Sequence, residues 1–169
     1  MNTVFRRSVA LVTGLLVAGL ATGCATERSV DSMQDVKVVA EQGEELLAEV
    51  RTAIDQAVGP VTWDEMDASH FTETGEKVDG FRLARYTSAN WVVQEPLIAD
   101  PDRWTAALQA TEATLQDHGY STDTQILGTD KHAVVVWHDD TGRSIELGSS
   151  KATVLYFESG PQLGDPVDQ

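Results

Sequence analysis

The sequence predicts an α+β fold: an antiparallel β-meander sheet of about five strands with two helices packed on one face. Three observations carry that expectation. Apolar residues recur at three- and four-residue steps from Val36 to Val58. A second segment, Asp100 to Gly119, is bounded by start and stop signals of a helix. Beyond Gly119-Tyr120 the apolar period changes to two, which is the change from helix to strand. Helices segregated from a run of strands, rather than alternating with them, point to α+β.

In the first helix Val36, Val39, Gly43, Leu46 or Leu47, Val50, Ile54 and Val58 form one stripe. Glu41, Glu44, Glu45, Glu49 and Arg51 fall mostly elsewhere, so the helix is amphipathic. Asp31 with Gln34 offers a capping box and Gly59-Pro60 a stop. Gly43 weakens the middle by about 1 kcal/mol relative to alanine and invites a bend. The continuous stripe is expected to pack on the rest of the domain; a free stalk or partner-binding helix is the alternative.

Val61-Thr62-Trp63 is a short extended piece, followed by the acidic segment Asp64 to Gly80, rich in Asp, Glu, Thr and Gly, which reads as a long loop. Phe81 to Tyr86, continuing towards Val93, alternates like a strand. The second helix has Asp100 as N-cap, Pro101 at its first position, Asp102 at the positive end of the dipole and Gly119 as the left-handed stop. Trp104, Ala107 or Leu108, Thr111 and Leu115 make its apolar face. Four short segments follow: Thr122 to Leu127, His132 to Trp137, Arg143 to Gly148 and Ala152 to Phe157. Their connections are short and turn-like, so consecutive strands are expected to be antiparallel neighbours. Residues 31–158 make one domain, and 159–169, with prolines and glycines, read as a flexible tail.

The N-terminus is of another kind. Arg6-Arg7 precedes an apolar run from Val9 to Leu20, too short for a permanent span of about 20 residues and suited to the h-region of a signal peptide. Ala21-Thr22-Gly23-Cys24 is similar to the lipobox of bacterial prolipoproteins, with alanine where leucine is commonest. The expectation is cleavage between Gly23 and Cys24, removal of residues 1–23, a diacylglyceryl thioether on Cys24 carrying fatty acyl chains such as palmitate, and a tether over 24–30. Two acyl chains, at about 0.8 kcal/mol per buried CH₂, anchor effectively permanently. A secretory peptide cut near Ala21 or Ala25 with Cys24 incidental, an uncleaved N-terminal helix, and twin-arginine export on the strength of Arg6-Arg7 are the competing readings. Cys24 is the only cysteine, and acylation would remove a thiol that is a liability in an oxidising compartment.

Removing Arg6 and Arg7 with the signal takes the formal net charge from −15 to −17. Such a surface repels nucleic acid and anionic headgroups, so no nucleic-acid partner is expected, and membrane contact is expected through the lipid alone. Four lysines against eight arginines, with abundant Ala, Val, Thr, Asp and Gly, give the look of a high-GC genome such as an actinobacterium.

No residue pattern carries a reaction. His132 and His138 flank one strand segment beside Asp139 and Asp140, but six residues of strand separate them by about 20 Å, so one ion cannot take both. Gly-x-Ser-x-Gly, a Cys/His pair, Ser-x-x-Lys and phosphate-binding glycine loops are missing from the sequence. Gly148-Ser149-Ser150-Lys151 reads as a turn, and Glu146 with Glu158 would meet only by accident of register. No catalytic residue, metal ligand or cofactor is therefore assigned. Core packing accounts for most of the aromatic residues; Trp91, in Ser88-Ala89-Asn90-Trp91 where the strand pattern falters, is the least regular, and exposed in a loop it would suit a contact surface together with the acidic loop carrying Asp64, Asp67 and His70, whose residues otherwise read as solvated.

The lipobox, the acidic helix ending in Gly59-Pro60-Val61-Thr62-Trp63, the acidic loop and the capped helix ending in Gly119-Tyr120 before a meander together resemble the small LppA-type lipoproteins of actinobacterial envelopes. The resemblance implies membrane anchoring and an α+β fold; it implies no reaction and no functional residues. The function expected is a non-enzymatic module, lipid-anchored on the extracytoplasmic face of the cell membrane, binding an envelope protein or small ligand. The alternative is an envelope enzyme or divalent-cation-binding protein using the segment 64–80.

Overall fold

The structure is a computed structural model and describes residue 30 and residues 33–121, 125–129 and 131–166. The signal segment 1–23 with Gly23, Cys24 and most of the tether, Asp31, the start of the segment Thr122 to Leu127, and residues 167–169 lie outside the described residues.

Helix α1 spans Val36–Val58 and α2 Pro101–Asp117. Nine strands are described: β1 Asp64–Met66, β2 His70–Val78, β3 Phe81–Thr87, β4 Asn90–Val93, β5 Gln125–Thr129, β6 His132–His138, β7 Ser144–Ser149, β8 Thr153–Glu158 and β9 Gln162–Pro166. They form one antiparallel sheet. The fold class agrees with the sequence reading, but the sheet is larger than the five strands expected, for a reason visible in the register.

Three long strands each run through a bend and are counted twice. β1 and β2 pair with β4 and β3 in turn, from Asp64↔Val92 to Val78↔Phe81. They form one bent hairpin that turns at Asp79-Gly80, where both residues have positive φ (45° and 85°). An Asp-Gly pair in that conformation matches the twist of flanking strands. The acidic segment 64–80 is therefore a hairpin arm rather than a loop: its alternation is obscured because nearly every residue of an edge strand is exposed. On the other side β3 and β4 pair with β9 and β8, from Ala84↔Gln162 through Thr87↔Glu158 to Trp91↔Leu155. Residues 159–166, read as tail, thus continue β8 past a bend, and their backbone groups are satisfied by β3. The meander β8-β7-β6-β5 completes the sheet.

The central bend is built from two serines. Ser159 Oγ accepts from Tyr86 N (2.8 Å) and Ser88 Oγ accepts from Phe157 N (2.9 Å). Reciprocally, Ser88 N donates to Phe157 O (3.0 Å) and Ser159 N to Tyr86 O (2.9 Å). Each hydroxyl stands where a ladder carbonyl has swung away, so no buried N–H is orphaned. Both serines are buried. Ser159→Ala is expected to lower stability by about 1–3 kcal/mol by leaving the Tyr86 amide unpaired; urea titration measures it, and an unchanged midpoint would show that the bend needs no hydroxyl.

The helix starts at Asp35, not Asp31: the Asp35 side chain accepts from Lys37 N (2.7 Å). Leu163 N donates to Gln34 O (2.9 Å), fastening the entry to β9. Val36, Val39, Ala40, Gly43, Leu46, Leu47, Val50 and Ile54 are buried, so the stripe packs and is not a stalk; each large aliphatic contributes roughly 1.5–3 kcal/mol. The helix runs through Gly43 without a break. Glycine is there because a Cβ would overlap Cδ1 and Cε1 of the Phe157 ring.

α2 begins as expected, with Asp100 Oδ1 accepting from Asp102 N (3.1 Å) and Arg103 N (3.3 Å), and ends before Gly119 at φ 80°. A 3-10 turn, Leu97–Ala99, places it: Leu97 N donates to Thr153 Oγ1 (2.9 Å) and Ile98 N to Ser149 Oγ (3.2 Å). Ala107, Thr111 and Leu115 are buried, with Trp104 and Leu108 half-buried against the same core. Trp137, Ile145, Leu147, Leu155 and Phe157 supply the sheet side of that core.

Candidate functional site

The residues singled out from sequence are partly brought together, but not as a loop surface. Trp91 is on β4, half-buried against the core, with the Arg51 guanidinium carbon 3.4 Å from its ring centroid. Strand pattern falters near it because the bend at Ser88-Ala89 breaks the alternation. Its ring is a platform for Arg51, a cation–π contact, and not an exposed contact point. Burial pushes the Arg51 guanidinium below its ordinary pKa, opposed by Glu44, Asp55 and Glu65. Asp64 Oδ2 accepts from Gln94 Nε2 (3.2 Å), and Asp67 Oδ2 from Asn90 Nδ2 (2.9 Å), so both tie the β1 strand to the β4 strand. His70 opens β2 and its Nδ1 lies 3.4 Å from Ala68 O. Among the described residues no three His, Cys, Asp or Glu side chains converge as metal ligands.

The other candidates also find structural partners. Glu146 accepts from Tyr156 Oη (2.6 Å) and Glu158 pairs with Arg85 (3.2 Å). Ser149 is buried against Thr153 (3.0 Å). His132 and His138 stand at opposite ends of β6.

Under the first half of α1 the Tyr86 hydroxyl donates to Glu44 Oε1. Burial, then this bond, pushes the phenol up from 10.0 to about 12. The unfolded phenol ionises near 10 while the folded one keeps its proton, so the unfolded state binds fewer protons and stability falls as pH rises from about 10 through about 12. Tyr86→Phe is expected to flatten part of that fall in melts recorded across alkaline pH.

A different set of side chains forms a site. Between α1, the C-terminal end of α2 and the β6–β7 turn lies a cavity of about 280 Å³, lined by Gln42, Gly43, Glu45, Leu46, Glu49, His118, Tyr120, Arg143 and Phe157. The glycine at 43 lets the Phe157 ring close against the helix and floor it. At one end Asp139, whose side chain is 2% exposed, organises the turn. Its Oδ1 accepts from Thr141 N (3.0 Å) and Arg143 N (2.8 Å), and its Oδ2 from Arg143 Nε (2.5 Å). This is an Asx-type turn. Arg143 Nη1 donates to Gln42 Oε1 (3.2 Å), so the guanidinium is held at two points while Nη2 has no protein partner among the described residues.

At the other end His118 Nε2 lies 2.8 Å from Glu49 Oε2, joining α2 to α1. That pair also borders a shallower groove of about 500 Å³ along the α1–α2 seam. Tyr120 is 6% exposed, and its hydroxyl finds no protein partner among the described residues. Burial, with Asp139 adding to it, raises the Tyr120 pKa, so the phenol is neutral and both donor and acceptor. Serine, threonine and cysteine do not line the cavity. It offers hydrogen bonds and charge.

Another cavity, of about 320 Å³, lies at the start of α1 beside Phe71 and Ala84. Four of its five charged residues form ion pairs, Arg82 with Glu73 (3.4 Å) and Lys37 with Asp165 (3.8 Å), and the fifth, Asp35, caps the first helix.

Nothing in the sequence marked the larger-scale convergence of 42–49, 118–120, 143 and 157. The one local signal was Asp139-Asp140-Thr141-Gly142, read as a turn without recognising that its first carboxylate would hold Arg143.

The fold has solved relatives. A DUF4853 family protein from Actinomyces odontolyticus superposes with a TM-score of 0.53 at 13% identity, over 79% of this chain and 71% of that one. The putative lipoprotein LppA from Mycobacterium tuberculosis gives 0.49 at 12% identity, over 79% and 83%. At such identities the first likeness shows the fold alone, and the second adds nothing to it. No curated protein matches by sequence. A family model described as LppA, a lipoprotein confined to pathogenic Mycobacterium, matches residues 24–164, beginning at the cysteine of the lipobox and ending within β9. The chain belongs to the LppA lipoprotein family, and is thereby an envelope-associated lipoprotein.

Proposed function

We propose that this chain is a non-enzymatic binding module, anchored through diacylglyceryl-Cys24 on the extracytoplasmic face of the membrane, that holds a small polar ligand in the cavity between α1, α2 and the β6–β7 turn. The observation that carries the reading is a preorganised cation, Arg143, sharing one cavity with the neutral phenol of Tyr120. Arg143 is fixed by Asp139 and Gln42, and the hydroxyl of Tyr120, a residue 6% exposed, has no protein partner among the described residues. Tyr120 lines the same cavity, so an occupant can take the place of water at the phenol. Arg143 is positioned before the ligand arrives, which lowers the ordering cost of binding.

The lipobox-like segment and the family support the anchor. The described helices include none long and apolar enough to cross a membrane. Intact mass of the membrane-extracted protein tests the anchor: a chain starting at Cys24 with a diacylglyceryl group, lost in Cys24→Ala, is expected, and an unmodified soluble species overturns it. A thermal-shift screen of small polar metabolites tests the cavity. A binder at 100 times its Kd stabilises by about 2.7 kcal/mol, and Tyr120→Phe is expected to weaken it. A screen without any Tyr120-dependent binder overturns the cavity reading.

A further inference from the structure

We propose that the ligand is a small zwitterion, its cationic end at Glu45 and its anionic end at Arg143 and Tyr120, of the size of an amino acid or dipeptide; this rests on the cavity being the ligand site. The polarity of the cavity follows from the helix. Gln42 and Glu49 are about 10 Å apart along α1 at 1.5 Å per residue. Arg143 is attached at the Gln42 end (3.2 Å) and His118 at the Glu49 end (2.8 Å). Between them Glu45, an exposed residue at the rim, lines the wall and has no ion-pair or hydrogen-bond partner among the described residues.

The three acceptor and donor groups left over therefore differ in kind: a carboxylate at Glu45, a guanidinium nitrogen at Arg143 and a phenol at Tyr120. A simple anion would satisfy the last two but face Glu45 and Glu49. A simple cation would satisfy Glu45 but displace water from Nη2 and the phenol without replacing its hydrogen bonds. A molecule carrying both charges meets all three. The apolar floor of Leu46 and Phe157 suits small aliphatic side chains. The volume, about 280 Å³, falls just below the roughly 300–1,000 Å³ of drug-sized sites. A dipeptide spans about 7 Å when extended, enough to bridge Glu45 and Arg143, whose anchoring residue Gln42 is one turn away.

The test is calorimetric titration of the mature lipidated protein in detergent micelles with L-alanyl-L-alanine, its N-acetyl form and its C-terminal amide. The free dipeptide is expected to bind at least tenfold more tightly than either capped form. Glu45→Gln should erase the advantage over the acetylated form, and Tyr120→Phe should reduce the advantage over the amide. Equal affinities for capped and free peptides overturn the zwitterion. So does the failure of all three to bind; if a compound of other chemistry from the thermal-shift screen then binds in a Tyr120-dependent way, the cavity stands, and if none does, both readings fall.

Discussion

Phe157→Ala is expected to destabilise the domain by about 3–5 kcal/mol, the largest effect of any single substitution considered. The ring is 1% exposed and lies 6.4 Å from that of Tyr86. Truncation removes its transfer free energy and leaves a hole that α1 cannot fill, because Gly43 has no side chain to offer. The companion variant, Gly43→Ala, separates helix propensity from packing. In an exposed helix it would stabilise by about 1 kcal/mol; here the added Cβ overlaps the Phe157 ring, and overpacking of about 1–3 kcal/mol is expected to reverse the sign. Urea unfolding of Phe157→Ala, and of Gly43→Ala, Phe157→Leu and the double variant of these two, checks this. The double variant should be more stable than the sum of the singles because the smaller side chain yields the space. A stabilised Gly43→Ala would mean that α1 sits further from β8 than the structure has it.

The second large effect is at Asp139. Its carboxylate accepts from two backbone amides, the Thr141 hydroxyl and Arg143 Nε. Alanine there orphans these donors and leaves a guanidinium, 23% exposed, without its counter-charge. Removing one partner of a fully buried pair costs about 3–5 kcal/mol, and partial access of water to Arg143 lowers the expectation to about 2–4 kcal/mol. Asp139→Asn keeps one carbonyl acceptor for the turn amides and should lose less. Because Arg143 is then free to leave Gln42, dipeptide binding is expected to weaken in both variants by more than global stability accounts for. Retained affinity in Asp139→Ala would show that Arg143 is not preset by this turn.

Local rules read the helices well and the long strands poorly, and particular residues show why. A cap such as Asp100-Pro101 or a stop such as Gly119 acts within one turn, so its meaning is complete in a few residues. The hairpin arm 64–78 was misread because alternation reports burial on one face, and an edge strand whose side chains are nearly all exposed has none to report. Asp79-Gly80 between Val78 and Phe81 was a legible turn signal that the acidic composition overshadowed. The stretch 159–166 looked like a tail because Gly160, Pro161 and Gly164 are turn residues; two serines across the bend, at 88 and 159, let the ladder continue.

By itself the sequence determined what is local in nature: two amphipathic helices with their caps, a meander and an α+β class; from it also comes the expectation of an export signal ending at Ala21-Thr22-Gly23-Cys24. Only the tertiary structure decided that Trp91 lies under Arg51 rather than in solvent, that Gly43 is a packing residue, and that Glu45, Tyr120 and Arg143 share one cavity. The physical reason is range. Caps, turns and periodicity arise from neighbours a few residues apart. A cavity is the space left between surfaces brought together by packing α1 on β8, and its lining comes from segments up to about a hundred residues apart, such as Gln42 and Arg143.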